Sequence, residues 1–568
     1  MNKFKTSVFF VALLVVANGL KAQSLEEGKK FLYYERYQSA KDVFQKLVTA
    51  EPNNEEAVYY LGQAEIGLDD VSGAKALYLQ KLSANPNSPL IMAGVGNVEL
   101  IEGKTADARN HFETAISLSQ GKSIAVLNAV GYANASYEIK NGDPNYAIAK
   151  LTQATQLKKF KDPEVWTNLG DAYRKIGDGG NAIKAYQEAL ALDPKYARAI
   201  YRSGRIYQTQ GIGQENLYLD YYNKAIAADP AYAPVYYTLY VYYYESNVPK
   251  SAEYLDKWLT NSDDDSKACY LRASIKYAQG LFTDAISKAD QCINAEGDKP
   301  FPNLYGIKAL AYNRLHDSLN AKSSYEEYFK RQAPDKIGAG DYASYASILL
   351  KFPGNEAQAG TLVDKAVALD TIENNKVAYL KSMAKVFETT DNRKEAAKWY
   401  GKVIDVKKNY SNVDLFNAGY NYYSVGELDS SIRYFNLYAE KYPDDILGYY
   451  MLGNANALKD STNALGLAVP YYQKTIQIGE ADPTKPNAKT RLMNSYKFFV
   501  GYFYNAKKNR DSALVYVDKA LALDPTDASM ISNKEFISKN DPNAPPKKAP
   551  EQKPATTKPK SGNNPKKK

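Results

Sequence analysis

Acid–base and soft-metal chemistry leans on histidine and cysteine, and this chain of 568 residues holds two of each. His111 directly precedes Phe112, and His316 falls in the run Asn-Arg-Leu-His-Asp-Ser. Both read as surface or interhelical residues rather than acid–base groups. The sequence contains no glycine-rich phosphate loop ending in lysine, no Cys-x-x-Cys pair and no His-x-x-x-His zinc spacing. The run 261–266, Asn-Ser-Asp-Asp-Asp-Ser, has the oxygen density of a calcium loop. It lacks the glycine and the distal glutamate of such a loop, and it stands where the next helix needs an N-cap. Capping is its expected role. The residues thus predict no enzyme, no cofactor and no metal.

What the residues do offer is a beat. Gly28, Gly62 and Gly96 stand 34 apart, as do Gly170 and Gly204, and again Gly419 and Gly453. Twelve residues after such a glycine there is often a small residue: Ala40, Ala74, Ala108, Ala182, Ser431 and, after Gly501, Ala513. Four further on comes an aromatic in the better copies: Phe44, Tyr78, Phe112, Tyr186 and Phe435. Pro52, Pro86, Pro194, Pro443 and Pro525 close units. A fixed period of this size marks a repeat array, in which each unit buries its apolar face only against its neighbours. Small residues let two helices approach closely, large aromatics fill the wedge between hairpins, and proline stops the unit. Length agrees, because an array grows without enlarging a single core. Most of the fifty tyrosines are absorbed as packing residues of the repeat.

The clearest unit, DPEVWTNLGDAYRKIGDGGNAIKAYQEALALDP, carries Trp166, Leu169, Gly170, Tyr173, Ala182, Tyr186, Ala189 and Pro194. It resembles the tetratricopeptide repeat signature. The resemblance implies an all-α fold, a right-handed α-solenoid of about fourteen helical hairpins between Gln23 and Asn540. In a helical hairpin the start of the first helix lies beside the end of the second. Cys269 and Cys292 occupy those places, so a disulfide and two buried thiols are both open to them.

In proteins of this kind the first helix of each repeat lines a concave groove, and the resemblance places two candidate binding patches there. One comprises Asp171, Arg174 and Lys175, then Arg198, Tyr201, Arg202 and Arg205, then Tyr237, Val241 and Tyr244. Guanidinium groups beside tyrosine faces suit a carboxylate or an acidic peptide. The lysine–asparagine clamp of chaperone-binding relatives is not reproduced, because its asparagine place holds Asp171. The second patch comprises Phe416, Tyr420 and Tyr423, Tyr450 and Asn454, then Phe498, Tyr502 and Asn505. Aromatics interleaved with amides suit an extended polypeptide. The competing reading is that these rings pack against neighbouring helices.

The formal charge of +8 sits at the two ends. Lys3 and Lys5 precede an apolar run from Val8 to Ala17, and Lys21 and Ala22 lead to Gln23. That is the layout of a secretory signal peptide over 1–22, and the run is too short for a confident membrane span. The segment 541–568 holds eight lysines against Asp541 and Glu551, with no aromatic and no branched aliphatic residue. Such a composition predicts a disordered tail, either a solubilising terminus or a contact for anionic lipid headgroups or an acidic partner. The stretch between is close to neutral, so nucleic-acid binding is not expected. No transmembrane segment is expected in the mature chain.

The boundaries expected are a signal peptide over 1–22, an N-terminal array over 23–335, a C-terminal array with a capping helix over 336–540, and the tail. Register loosens over 331–340, and insertions fall around 141–144, 459–466 and 481–486. The reading predicts an exported scaffold or assembly factor of the bacterial cell envelope. It would bind envelope proteins or peptides as a periplasmic component of an outer-membrane-associated complex. The alternative is a periplasmic protein that binds or senses glycan or cell-wall fragments.

Overall fold

The computed structural model describes residues 25–211, 213–298 and 300–544; the expected signal peptide and almost all of the lysine-rich tail lie outside them. Within the described residues run twenty-nine α-helices and no strand. They pair as fourteen hairpins, from 25–33 with Tyr37–Ala50 to Ala488–Gly501 with Arg510–Leu523, and Ala528–Lys539 closes the series as a single helix.

The 34-residue beat has a steric cause. A Cβ on Gly62 would come within 2.3 Å of the Tyr78 hydroxyl, and one on Gly170 within 2.3 Å of the Tyr186 ring. Each aromatic lies across the bare backbone of its hairpin partner, fully buried. The small residue four before it is equally buried, at 0 % exposure for Ala74 and Ala182, so the helix axes can close to contact distance. Seven residues after the glycine the chain turns in the left-handed region. Gly103 and Gly177 occupy that place with φ of 81° and 82°, whereas Glu35 holds it at 58°.

Aspartate, asparagine and serine start many of the helices. The side chains of Asn54, Asp162, Asp178 and Asp527 each accept a hydrogen bond from a backbone N–H in the first turn, which satisfies donors the helix cannot use itself.

Helix contacts divide the chain into two units, one ending at Gln332 and the next beginning at Ala333. The sequence placed this joint at 335/336, three residues on. The first unit holds nine hairpins and the second holds five plus the terminal helix. In each unit successive helices pack in sequence order, and first helices of neighbouring hairpins also touch, as in an α-solenoid. A short 3₁₀ turn, Pro334–Lys336, opens the second unit. Near its end the helix Ala488–Gly501 runs on into a π-helical turn, Tyr502–Ala506. Cys269 and Cys292 are joined, with Cα atoms 6.0 Å apart, which ties the two helices of the eighth hairpin.

Candidate functional site

The first unit closes on its own beginning. The turn after helix 25–33 reaches the loops that enter the sixth, seventh and eighth hairpins. Tyr34 donates its hydroxyl hydrogen to Asp229 at 3.0 Å. Tyr33 accepts from the backbone N–H of Arg198 at 3.2 Å and packs on the rings of Tyr196 and Tyr232. Arg36 pairs with Asp263 at 3.3 Å. The same Asp263 carboxylate accepts from the backbone N–H groups of Gln38 and Ser39. It therefore caps the helix Tyr37–Ala50, whose own N-cap residue, Arg36, gives no side-chain cap. Capping was the expected role of the 261–266 run, and Asp265 does cap the following helix. Asp263 caps a helix more than two hundred residues earlier, which local sequence cannot disclose.

This closure encloses a cavity of about 210 Å³. Its inner wall is a polar ladder on the first helices of the fourth, fifth and sixth hairpins. Asn168 donates to Asn128 at 2.8 Å. Arg198 donates to Asn168 at 2.9 Å and to Asp171 at 3.1 Å. Arg202 approaches the other Asp171 oxygen at 3.4 Å, and Tyr186 donates to it at 2.8 Å. Burial opposes the charge on Asp171, but Arg202, Arg198 and Arg174 outweigh it and hold the carboxyl below its usual range. The cavity is also lined by Tyr33, Glu35 and Tyr37 of the first hairpin and by Tyr132 and Glu138 of the fourth.

Several candidate ligand residues prove to be engaged within the fold. Lys175 points its ammonium at three backbone carbonyls, those of Asn134, Ser136 and Ile139, at 3.1, 2.8 and 2.8 Å. It pins the turn of the fourth hairpin. Arg174 lies over the Tyr137 ring at 4.2 Å. Tyr201 shares a 2.8 Å hydrogen bond with Thr238, and Arg205 donates to both at 3.4 Å. Tyr237 lies under Lys267, and Tyr244 bonds Ser274; Val241 between them is exposed. Arg198 and Arg202 do face the cavity, and both pair with Asp171 there. The converging guanidiniums meet an internal carboxylate.

In the second unit Phe416 stacks on Tyr420 at 5.3 Å, and Tyr420 lies near Tyr423. Tyr420 is the exposed member, at 39 %. Tyr450 meets Tyr472, which packs on Phe498 at 4.5 Å, and Phe498 stacks on Tyr502. Asn454 accepts from the Tyr472 hydroxyl at 2.7 Å, and Tyr502 is buried. The structure thus brings these aromatics into two short stacks, with Phe416, Tyr420 and Tyr423 the more open. Asn505 is exposed on the π-turn.

His111 spends Nδ1 on Glu99 at 2.8 Å, and His316 takes the left-handed turn place at φ 62°. Among the described residues no cluster of three or more His, Cys, Asp or Glu side chains could hold a metal ion. Among them, too, no helix is long and apolar enough to cross a membrane.

Glu35 and Glu138 carry no expectation from the sequence, and Asp263 caps a different helix from the one expected. One signal was available: Glu35 takes the turn place that glycine holds in other copies.

Family models described as "Tetratricopeptide repeat" and "TPR repeat" match residues 25–89 and 170–211. The matched segments are tetratricopeptide repeats. Human tetratricopeptide repeat protein 6 is 29 % identical over 144 residues, 25 % of this chain and 26 % of the relative. The general transcriptional corepressor ssn6 of Schizosaccharomyces pombe is 25 % identical over 146 residues, 26 % of this chain and 13 % of the relative. The chain thus spans about a quarter or less of the length of these relatives. Among solved structures, yeast Tom70 aligns over 75 % of this chain and 100 % of its own at 15 % identity, with a TM-score of 0.36. A tetratricopeptide repeat protein from Parabacteroides merdae aligns over 45 % and 98 % at 19 % identity, also at 0.36.

Proposed function

We propose that this chain is a non-enzymatic interaction scaffold or assembly factor, which holds partner proteins or peptides on the inner faces of its helical hairpins. Tetratricopeptide repeats typically act in this way. The observation that carries the reading is the concave wall of the first unit. There, polar and aromatic side chains of successive first helices face a cavity. We further propose that the chain is exported and works in a bacterial envelope, as a periplasmic member of an outer-membrane-associated complex. The layout of 1–22 supports export, and the lysines of 541–568 suit contact with anionic headgroups or an acidic partner.

The test is affinity capture of the tagged full chain from envelope extracts, with sequencing of the mature amino terminus. A stoichiometric protein partner and a terminus at Gln23 are expected. Recovery of the chain alone, from the cytoplasmic fraction, defeats both parts. The tyrosine-lined cavity also favours a second reading, the binding of glycan or cell-wall fragments. Titration with cell-wall oligosaccharides separates the two, since only the second expects saturable quenching of protein fluorescence.

A further inference from the structure

The clasp between the two ends of the first unit hangs on three successive aspartates, 263–265, that lead into the helix Ser266–Ala278. Asp263 reaches across to the first hairpin. There it pairs with Arg36 and accepts from the backbone N–H groups of Gln38 and Ser39 and from the Ser39 hydroxyl. Its two neighbours fasten the loop to the helix behind it. Asp264 pairs with Arg272 on that helix. Asp265 accepts from the backbone N–H of Ala268, and its carbonyl accepts from the N–H of Cys269. The aim of Asp263 is therefore set by where the helix Ser266–Ala278 stands.

The position of that helix depends in turn on a covalent bond. In the second and fifth hairpins an aromatic ring lying across a glycine fixes the distance between the two helices. The eighth hairpin has Ala273 and Ala289 at those places, both fully buried, and two methyl groups make far less contact than a ring. Cys269 lies four residues before Ala273 and Cys292 three after Ala289, so their disulfide bridges the hairpin one turn from the missing wedge. Cys292 is buried in a cluster with Leu304 and Ile307 of the ninth hairpin. The bond thus ties the helix behind Asp263 to the packed body of the array.

We propose that the Cys269–Cys292 bond sets the closure of the first unit. With the sulfurs joined, the eighth hairpin is braced, and Asp263 holds the turn of the first hairpin at the cavity. With two thiols in their place, the helix Ser266–Ala278 shifts against its partner, the clasp lets go and the mouth of the cavity widens. Opening proceeds by thiol–disulfide exchange with a dithiol. Its thiolate attacks the Cys269 sulfur, since Cys269 is the less buried of the two, and Cys292 leaves as a thiolate that takes up a proton. The second thiol of the reductant then displaces Cys269. Two electrons and two protons have passed to the protein, and the reductant has become a disulfide. Closing is the reverse, with a disulfide as the oxidant. The device keeps the first unit closed in an oxidising compartment and open in a reducing one, and it does not rest on the scaffold reading.

The measurement is amide hydrogen exchange on the full chain, oxidised and after dithiothreitol, with free thiols counted by alkylation. Opening the bond should speed exchange over 266–296 and also over 38–50. The change over 38–50 should be about fivefold to tenfold, the effect of losing one helix cap, while hairpins three to five keep their protection. Asp263→Ala in the oxidised chain should reproduce the change at 38–50. Reducing that variant should add nothing there, because both changes act through one contact. Cys269→Ala combined with Cys292→Val, which keeps the buried place apolar, should match the reduced chain without any reductant. Unchanged exchange over 38–50 once the thiols are free overturns the proposal, as does a further acceleration there when Asp263→Ala is reduced. Acceleration throughout the first unit overturns it too, since the bond would then hold up the whole array and not the clasp. If the double variant loses helicity by circular dichroism, the wild-type chain poised in glutathione buffers still decides. Protection over 38–50 must then fall in step with the fraction of bond opened, and protection that stays constant refutes the link. A capture experiment that finds no partner leaves these results untouched, so the two readings fail separately.

Discussion

Asp171 accepts hydrogen bonds from the Arg198 guanidinium and the Tyr186 phenol and forms an ion pair with Arg202. Removing a single partner from a buried ion network leaves the others uncompensated, at about 3–5 kcal/mol. Asp171→Asn should therefore lower the stability of the first unit by roughly that amount in urea unfolding. An unchanged midpoint would mean that the arginines are solvated. The second unit has its own buried acid. Asp414 forms an ion pair with Lys381 at 2.6 Å and accepts hydrogen bonds from Lys407 at 2.7 Å and the Ser411 backbone at 2.9 Å. Burial resists its ionisation, yet these partners hold the carboxyl well below its ordinary range. The folded pKa lies under the unfolded value of roughly 3.9, so the stabilisation is complete above that pH and is lost as pH falls through the folded pKa. Asp414→Asn should be less stable at neutral pH and should show a flatter stability curve below about pH 4. An acid limb that keeps its wild-type slope would count against this assignment.

At the scale of elements, the helix Tyr37–Ala50 depends on a cap lent from far along the chain. Asp263 also carries Arg36 and the Ser39 hydroxyl, so it fastens the first hairpin at its turn. A helix cap contributes about 1 kcal/mol. Asp263→Ala should speed amide hydrogen exchange over residues 38–50 by about fivefold to tenfold, while hairpins three to five keep their protection. Uniform acceleration across the unit would show that closure is global and not a local latch. The eighth hairpin has a covalent tie, Cys269–Cys292, in place of an aromatic wedge. Its landmark glycine place is Ala273, and sixteen residues on stands Ala289, both fully buried. Where the beat loses its large residue, the disulfide fixes the spacing of the two helices.

Taken as a whole molecule, the chain spreads its stability along two units, each a sum of local interfaces and not one core. Tyr186 is fully buried across Gly170, and deleting a large buried ring costs about 3–5 kcal/mol. Tyr186→Ala should melt hairpins near the fifth at lower denaturant than residues beyond 333, so that probes in the two units report separate transitions. A single coincident transition would refute this independence.

The hairpin count, the glycine–aromatic contact and the helix starts were legible in sequence, because each depends on residues within one 34-residue unit. A glycine, an alanine and an aromatic at fixed offsets meet wherever a hairpin forms, whatever lies beyond it. The charge state of the candidate groove was not legible in that way. Asp171 and Arg198 are 27 residues apart and Tyr34 and Asp229 are 195 apart, and only the coiling of successive hairpins brings such pairs together. Sequence alone therefore determined an array of helical hairpins with aromatic wedges. Tertiary structure decided that the first hairpin closes a cavity and that Arg198 and Arg202 both pair with Asp171 inside it. The physical reason is that periodic packing is a property of each repeat, whereas enclosure and charge pairing depend on the accumulated rotation of many.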